Sequence, residues 1–209
     1  MSFYTGAVKV LSGLFKLVYN LEIHDADNVP ADGKYLVVCN HISLGDVILL
    51  AISCKRQIHF MAKKELFSIP VLGSLIKALG AFPVDRKGSA FSALKTAIGH
   101  LESEKLVGIF PQGTRKRNTS VEDTEFKSGA AICAIRAQAG IIPVYIQTKK
   151  QRFKLFSKSH VYFGTPTSFE SLPYDEEGSD KYKPTTDVIK DKIFELEKKA
   201  YGGKYNAKN

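Results

Sequence analysis

This chain predicts an α/β fold: a single domain with a largely parallel central sheet flanked by helices, preceded by an N-terminal amphipathic helix. Three observations predict it. Short apolar runs such as Tyr35-Leu36-Val37-Val38-Cys39 read as strands buried on both faces. Helical patterns alternate with those runs along the chain. Two polar, chemistry-bearing segments follow directly on predicted strands, where sites lie at the carboxyl edge of a parallel sheet. The 209 residues suffice for one domain with a full core, without internal repeats or a low-complexity linker. The expected division is residues 1–22 for the helix and 23–209 for the α/β domain.

The elements follow in order. Ser2, Thr5, Lys9, Ser12 and Lys16 recur at spacings of three and four, one narrow polar stripe on a helix otherwise clad in Phe3, Val8, Leu11, Leu14, Phe15 and Val18. Lys9 and Lys16 keep any uncharged run well below the roughly 18 residues that span a bilayer. No small-residue cleavage site follows. The helix is expected to lie in a membrane interface, with packing against its own domain as the alternative. Residues 25–34 read as a linker with turn-forming Asn28-Val29-Pro30 and Asp32-Gly33. Strands are expected at 35–39, 58–62, 81–84, 106–110, 142–146 and 160–163. Helices are expected at 46–51, 70–79, 89–103, 128–139 and 187–201. The last carries Val188, Ile189, Ile193, Phe194 and Leu196 at core-facing spacing, with charges between. Residues 66–84 hold Lys77 as their one charge, which fits either a second membrane-facing surface or a core helix leading into a strand. Lys149, Lys150, Arg152, Lys154 and Lys158 form a basic run interleaved with Leu155 and Phe156, either a membrane contact or a solvated hairpin.

The net charge of +9 suits a partner coated with anions, nucleic acid or a membrane surface. No zinc-finger, RNA-recognition or helix-turn-helix signature is present, and the aromatics form no basic stacking patch, so the membrane is the expected partner and nucleic acid is not. Cys39, Cys54 and Cys133 lie in apolar segments without metal-ligand spacing, as reduced core residues do.

The chemistry concentrates in two segments. Asn40-His41-Ile42-Ser43-Leu44-Gly45-Asp46 places a histidine and a carboxylate five residues apart. On a continuous helix residues so spaced point about 140° apart. They meet only if His41 precedes a helix and Asp46 sits in its first turn, and Ser43 to Asp46 resembles a capping box there. Read blandly, Asp46 is a helix cap and His41 a loop histidine. Read chemically, they are a base and the acid that orients it. Phe110-Pro111-Gln112-Gly113-Thr114-Arg115 supplies a tight turn, backbone N–H groups and a guanidinium, which suit a phosphate. Together the segments suggest base-catalysed chemistry on a phosphate-bearing alcohol.

With Gly80-Ala81-Phe82-Pro83-Val84-Asp85-Arg86 and Gly140-Ile141-Ile142-Pro143-Val144, these segments form four ordered blocks. They read N-H-x₄-D, G-x-F-P-V-x-R, F-P-x-G-T-R and I-P-V. In that order they resemble the glycerolipid acyltransferases, over roughly residues 35–146. The resemblance implies transfer of a fatty acyl group from acyl-CoA or acyl-carrier protein to the free hydroxyl of 1-acylglycerol 3-phosphate, forming phosphatidic acid. Another lysolipid or glycerol 3-phosphate as acceptor is the near alternative, and a non-catalytic binder of anionic lipid the distant one. His41 would be the general base and Asp46 its orienting acid. Arg86, Gly113, Thr114 and Arg115 would hold the phosphate, with Lys63 and Gln112 as further substrate contacts. No metal and no cofactor beyond the thioester co-substrate is expected, and the location would be the cytoplasmic face of a membrane. The third block of the family usually reads F-P-E-G-T-R, so Gln112 is a departure that removes a negative charge.

Overall fold

The computed structural model describes residues 20–84, 90–148 and 157–202. Residues 1–19 of the expected N-terminal helix, Arg86 and most of the basic run, residues 149–156, lie outside the described residues. The expected helical unit of residues 1–22 ends too late, since Leu21 and Glu22 belong to a strand held by pairing to residues 159–162. The elements are β1 (Leu21–His24), β2 (Tyr35–Cys39), α1 (Asp46–Ser53), β3 (Ile58–Lys63), α2 (Leu72–Ala78), β4 (Phe82–Val84), α3 (Ala90–Glu102), β5 (Leu106–Ile109), α4 (Gly129–Ala137), β6 (Gly140–Thr148), β7 (Ser159–Phe163) and α5 (Lys183–Ala200). Each strand and helix expected from residue 35 onward has its counterpart, with ends moved by a few residues. Strand β1 is additional: its four residues alternate Glu22 and His24 with apolar neighbours and carry too little pattern to stand out. Helix α5 starts earlier than its apolar pattern, because Pro184 is tolerated in a first helical turn.

Among the described residues, seven strands form one sheet in the order β1-β7-β6-β2-β5-β3-β4. All neighbouring pairs run parallel except β6 and β7. The α/β class with a mostly parallel sheet is therefore the observed one. Strand β2 sits mid-sheet, with Leu36, Val37, Val38 and Cys39 fully buried. Leu36 and Val38 belong to the core formed with α3, α4 and α5; Val37 and Cys39 belong to the core formed with α1. Covered faces on both sides explain the unbroken apolar run. Gly108 on β5 has a reason of its own: a Cβ there would lie 2.3 Å from the Phe60 ring, which crosses the strand at that point.

The parallel arrangement aligns the carboxyl ends of β4, β3, β5 and β2 along one edge. Lys63 closes β3 opposite Val84 of β4, and Phe110 and Asn40 follow the ends of β5 and β2. The two chemistry-bearing segments thus leave the sheet at the same edge from adjacent strands.

His59 on β3 stacks on His100 of α3, with ring centroids 4.9 Å apart. Burial, then the charges of His100 and Lys105, push the His59 imidazole down to about 4. An unfolded histidine titrates near 6.5. Between those values the unfolded chain binds the extra proton, so stability is full above about 6.5 and declines as pH falls toward 4. The melting temperature should fall by a few degrees from pH 7.5 to pH 5. His59→Gln should make that decline shallower; thermal melts across the range decide it, and an unchanged slope would remove His59 as its source.

Candidate active site

Past β2 the chain is fastened before it turns. The buried Asn40 side chain donates from Nδ2 to the Ile146 carbonyl at 3.0 Å and accepts from the Ile146 N–H at 2.7 Å. This pairing prolongs the β2–β6 contact by side-chain means and fixes where His41 departs. Helix α1 then begins at Asp46, with Gly45 before it. Ser43 Oγ accepts from the Gly45 N–H at 3.3 Å, so the chain is turned twice within five residues.

That turn brings His41 and Asp46 together, with Nδ1 2.7 Å from Oδ2. The same Oδ2 accepts the N–H groups of Ile42 at 2.7 Å and Ser43 at 2.8 Å. The capping box expected over Ser43 to Asp46 is not formed: Gly45 is the N-cap, without a side-chain cap, and Oδ2 instead ties the turn ahead of the helix while it orients the imidazole. A carboxylate can only accept, hence Nδ1 carries the proton and Nε2 holds the lone pair. The Asp46 side chain is wholly buried, whereas His41 retains 17 % exposure. With Nδ1 engaged, Nε2 is the nitrogen that can serve a substrate. The imidazole lies on the Phe110 ring, centroids 4.2 Å apart, which limits its rotation.

The block after β5 holds this arrangement from behind. Gln112 Oε1 accepts the His41 N–H at 2.7 Å, and its Nε2 donates to Thr124 Oγ1 at 3.0 Å. Thr124 in turn donates to the Val121 carbonyl. Gln112 was expected to meet substrate hydroxyls; it is instead 4 % exposed, with both ends of its amide engaged by the protein. Lys116 N–H donates to the His41 carbonyl at 2.8 Å, and Arg117 Nε to that of Ile42 at 3.0 Å. Sequence reasoning passed over Thr124, Lys116 and Arg117. It also passed over buried Glu197 of α5, which accepts from Ser120 Oγ, the Val121 N–H and the Tyr145 hydroxyl. A chain of hydrogen bonds thus runs from α5 through the 120–124 loop to Gln112 and His41.

The phosphate candidates are placed differently. Gly113 has φ 67°, and its N–H donates to the Phe110 carbonyl at 3.0 Å, closing a tight turn. That N–H is spent within the loop, so it is no half of an anion-holding pair as expected. A Cβ at Gly113 would come within 3.0 Å of the Lys127 side chain, which places a further cation at this turn. Thr114 and Arg115 are exposed on the same loop, and Lys63 is exposed at the end of β3. Arg86 lies two residues beyond Val84, outside the described residues.

Cys39 supplies no alternative nucleophile. Burial, and then the Asp46 carboxylate, push its thiol well above the usual range, and Sγ faces Asn40 Oδ1 at 3.4 Å. The arrangement is that of a base with a set tautomer, open to a proton-bearing substrate.

The family profile described as acyltransferase matches residues 20–147. The 1-acyl-sn-glycerol-3-phosphate acyltransferase of Bacillus subtilis is 35 % identical over 202 residues, covering 94 % of this chain and 98 % of that protein. The enzyme of the same name from Streptococcus pneumoniae is 34 % identical over 178 residues, covering 81 % of this chain and 64 % of that one. Among solved structures, the 1-acyl-sn-glycerophosphate (LPA) acyltransferase PlsC from Thermotoga maritima matches with a TM-score of 0.69 at 23 % identity, over 93 % of this chain and 78 % of the other. At that identity the likeness speaks to the fold.

Asp46→Asn separates the hold on this turn from the charge. The asparagine oxygen can replace Oδ2 toward its three donors, but its amide nitrogen then takes the place of Oδ1. Oδ1 is buried and has no hydrogen-bond partner among the described residues. Burying an unmatched donor costs about 1–3 kcal/mol. Denaturant unfolding should show a loss of that order; no loss would mean that the pocket around Oδ1 is wet.

Proposed function

This chain belongs to the acyltransferase family and is an O-acyltransferase, and we propose that it moves a fatty acyl group from a thioester to the free hydroxyl of 1-acylglycerol 3-phosphate. The product is phosphatidic acid. The observation that carries the reading is the His41–Asp46 pair at 2.7 Å with Nε2 left to the substrate; the names of the two relatives supply the acceptor.

The chemistry follows from that nitrogen. Nε2 takes the proton of the acceptor hydroxyl as the oxygen attacks the thioester carbonyl. Asp46 faces the imidazolium that forms and stabilises it without taking its proton. The tetrahedral intermediate collapses, the carbon–sulfur bond breaks, and the imidazolium returns its proton to the departing thiolate. No acyl-enzyme is needed, since the substrate's own hydroxyl is the nucleophile. The donor would be acyl-CoA or acyl-carrier protein, with no other cofactor.

Arg115, on the loop that also holds His41 through Gln112, would contact the acceptor phosphate, together with Thr114, Lys63 and Arg86. Guanidinium groups suit a dianion because they are permanently charged and bind in a fork. The acceptor resides in a bilayer, so the site gains by opening at the membrane surface. Leu44, between His41 and Asp46, is 70 % exposed, and Val71 before α2 is 82 % exposed, with Ile69 and Leu72 beside it. These apolar side chains and the net charge of +9 support monotopic or peripheral association with the cytoplasmic face of a membrane. Among the described residues no helix is long and apolar enough to cross one.

Turnover measured by thioester consumption across a panel of lysolipids, with product mass spectrometry, tests the acceptor. Phosphatidic acid should dominate; preference for glycerol 3-phosphate would replace this substrate. His41→Ala should lower turnover by about 10²- to 10⁴-fold, with the fold intact, and a variant retaining a tenth of the rate would exclude His41 as base. Arg115→Ala and Arg86→Ala should each raise the acceptor KM by about 10- to 150-fold, the worth of a charged hydrogen bond. Equal damage toward the donor would mark a structural role. In liposome flotation at low salt the chain should rise with anionic vesicles, and Leu44→Ser with Val71→Ser should weaken that binding; full-length protein left at the bottom would overturn the membrane assignment.

A further inference from the structure

Away from the dyad, at the β1–β7 side of the sheet, a second cluster carries lone pairs toward a common point. Strands β1 and β7 pair in parallel, with Glu22 opposite His160 and His24 opposite Tyr162. Alternation along a strand puts Glu22 and His24 on one face of β1, beside His160 and Tyr162 on β7. His24 Nε2 lies 3.0 Å from His160 Nδ1, and that Nδ1 lies 3.2 Å from Glu22 Oε2. The three donor atoms all fall within 4.8 Å of one another. The His24 ring is stacked on Tyr162, centroids 4.3 Å apart and planes 7° from parallel, so the strand pair holds it in place. Lys158 takes the other carboxylate oxygen, Oε1, at 2.7 Å and leaves Oε2 to the histidines.

The proton count makes this cluster unusual for a plain hydrogen-bonded group. His160 Nδ1 faces two atoms, a carboxylate oxygen that only accepts and an imidazole nitrogen. If Nδ1 carries a proton, that proton is shared between both neighbours. If it does not, its lone pair faces the carboxylate. A cation among the three atoms would satisfy all of them together. The spacings from His160 Nδ1 to His24 Nε2 and to Glu22 Oε2, 3.0 and 3.2 Å, suit one: two ligands held at about 2.0–2.2 Å by a tetrahedral zinc ion stand about 3.3 Å apart. Two imidazoles with one carboxylate favour zinc and its first-row neighbours over magnesium or calcium, which take oxygen ligands.

We propose that Glu22 Oε2, His24 Nε2 and His160 Nδ1 form a binding site for a divalent transition-metal ion of the zinc class, with solvent completing the coordination. The ion clips the edge strand β1 to β7, joining residues far apart in the chain. Its effect is therefore on the anchoring of β1. The site shares no residue with the acyl-transfer machinery, and its assignment stands apart from that reading.

The test uses the untagged full-length chain, stripped with chelator and titrated with Zn²⁺ by calorimetry. Saturable binding of one equivalent well below millimolar is expected, with a rise in melting temperature of several degrees that Mg²⁺ does not reproduce. Co²⁺ at the site should show the visible absorption of a low-coordinate nitrogen–oxygen centre. His24→Gln and His160→Gln, which keep size and polarity, should abolish both signals while melting near the metal-free wild type. Lys158→Ala should bind at least as tightly, because it frees the carboxylate from a competing cation. No saturable binding, binding unchanged in both histidine variants, or an equal shift with Mg²⁺ would each overturn the site and leave a metal-free ion-pair cluster.

Discussion

The molecule's chemistry hangs on one carboxylate oxygen. Asp46 Oδ2 accepts three hydrogen bonds, from the His41 imidazole and from the N–H groups of Ile42 and Ser43. The two backbone bonds fix the turn that leads from β2 into α1, just ahead of the Gly45 N-cap. The third is what a general base needs, since it sets the tautomer. A spacing of five residues is wrong for two side chains on one helix and right for a residue just ahead of a helix facing one in its first turn. One atom therefore couples local folding to reactivity: the turn that lets α1 begin also aims the imidazole.

That atom would orient nothing if the His41 backbone were free to swing. Both polar groups of its peptide backbone are taken, N–H by Gln112 and the carbonyl by Lys116. The neutrality of Gln112 has a physical use here. Its amide offers an acceptor to His41 and a donor to Thr124, so Thr124 keeps its own proton for the Val121 carbonyl. A glutamate, usual in the related block, would offer no donor; Thr124 would have to turn its hydroxyl toward the carboxylate and release Val121. Behind this loop Glu197 is buried, and desolvation raises its carboxyl above the usual range. Three donors on it offset part of that penalty and tie α5 to the loop.

What was legible in the chain follows from the range of each interaction. The strands were readable because burial on both faces leaves apolar runs, and the helices because one-sided burial leaves a period. The pairing of His41 with Asp46 was readable because it is local and confined by the geometry of a helix start. Strand β1 escaped because four residues carry too little pattern and its place is set by β7, far along the chain. The role of Gln112 escaped for a like reason. Its partners lie 71 residues back and 12 residues on, and nothing in F-P-Q-G-T-R says that the amide turns inward. The Gly113 N–H was expected to hold an anion, but the turn that makes the loop tight consumes it. Glu197 looked like one more charge on an amphipathic helix, and only tertiary packing brings Tyr145, Ser120 and Val121 to it.

The loop between β3 and α2 raises a question that packing alone does not answer. Val71 has φ 65°, a conformation that costs a β-branched residue about 1–3 kcal/mol, while its side chain stands out from the domain. The loop is held there firmly: Gly73 N–H donates to the Ile69 carbonyl at 2.8 Å, and a Cβ at Gly73 would strike the Phe67 carbonyl at 2.2 Å. Strain spent on exposing an apolar side chain to water has no return within the folded domain. It has one if the loop meets an apolar phase, where each buried methylene is worth about 0.8 kcal/mol. Leu44 has the same logic, placed inside the turn that orients the base. On the proposed reaction these side chains would meet the bilayer in which the acceptor's acyl chain is already buried, so the substrate need bring only its glycerol phosphate end up to His41.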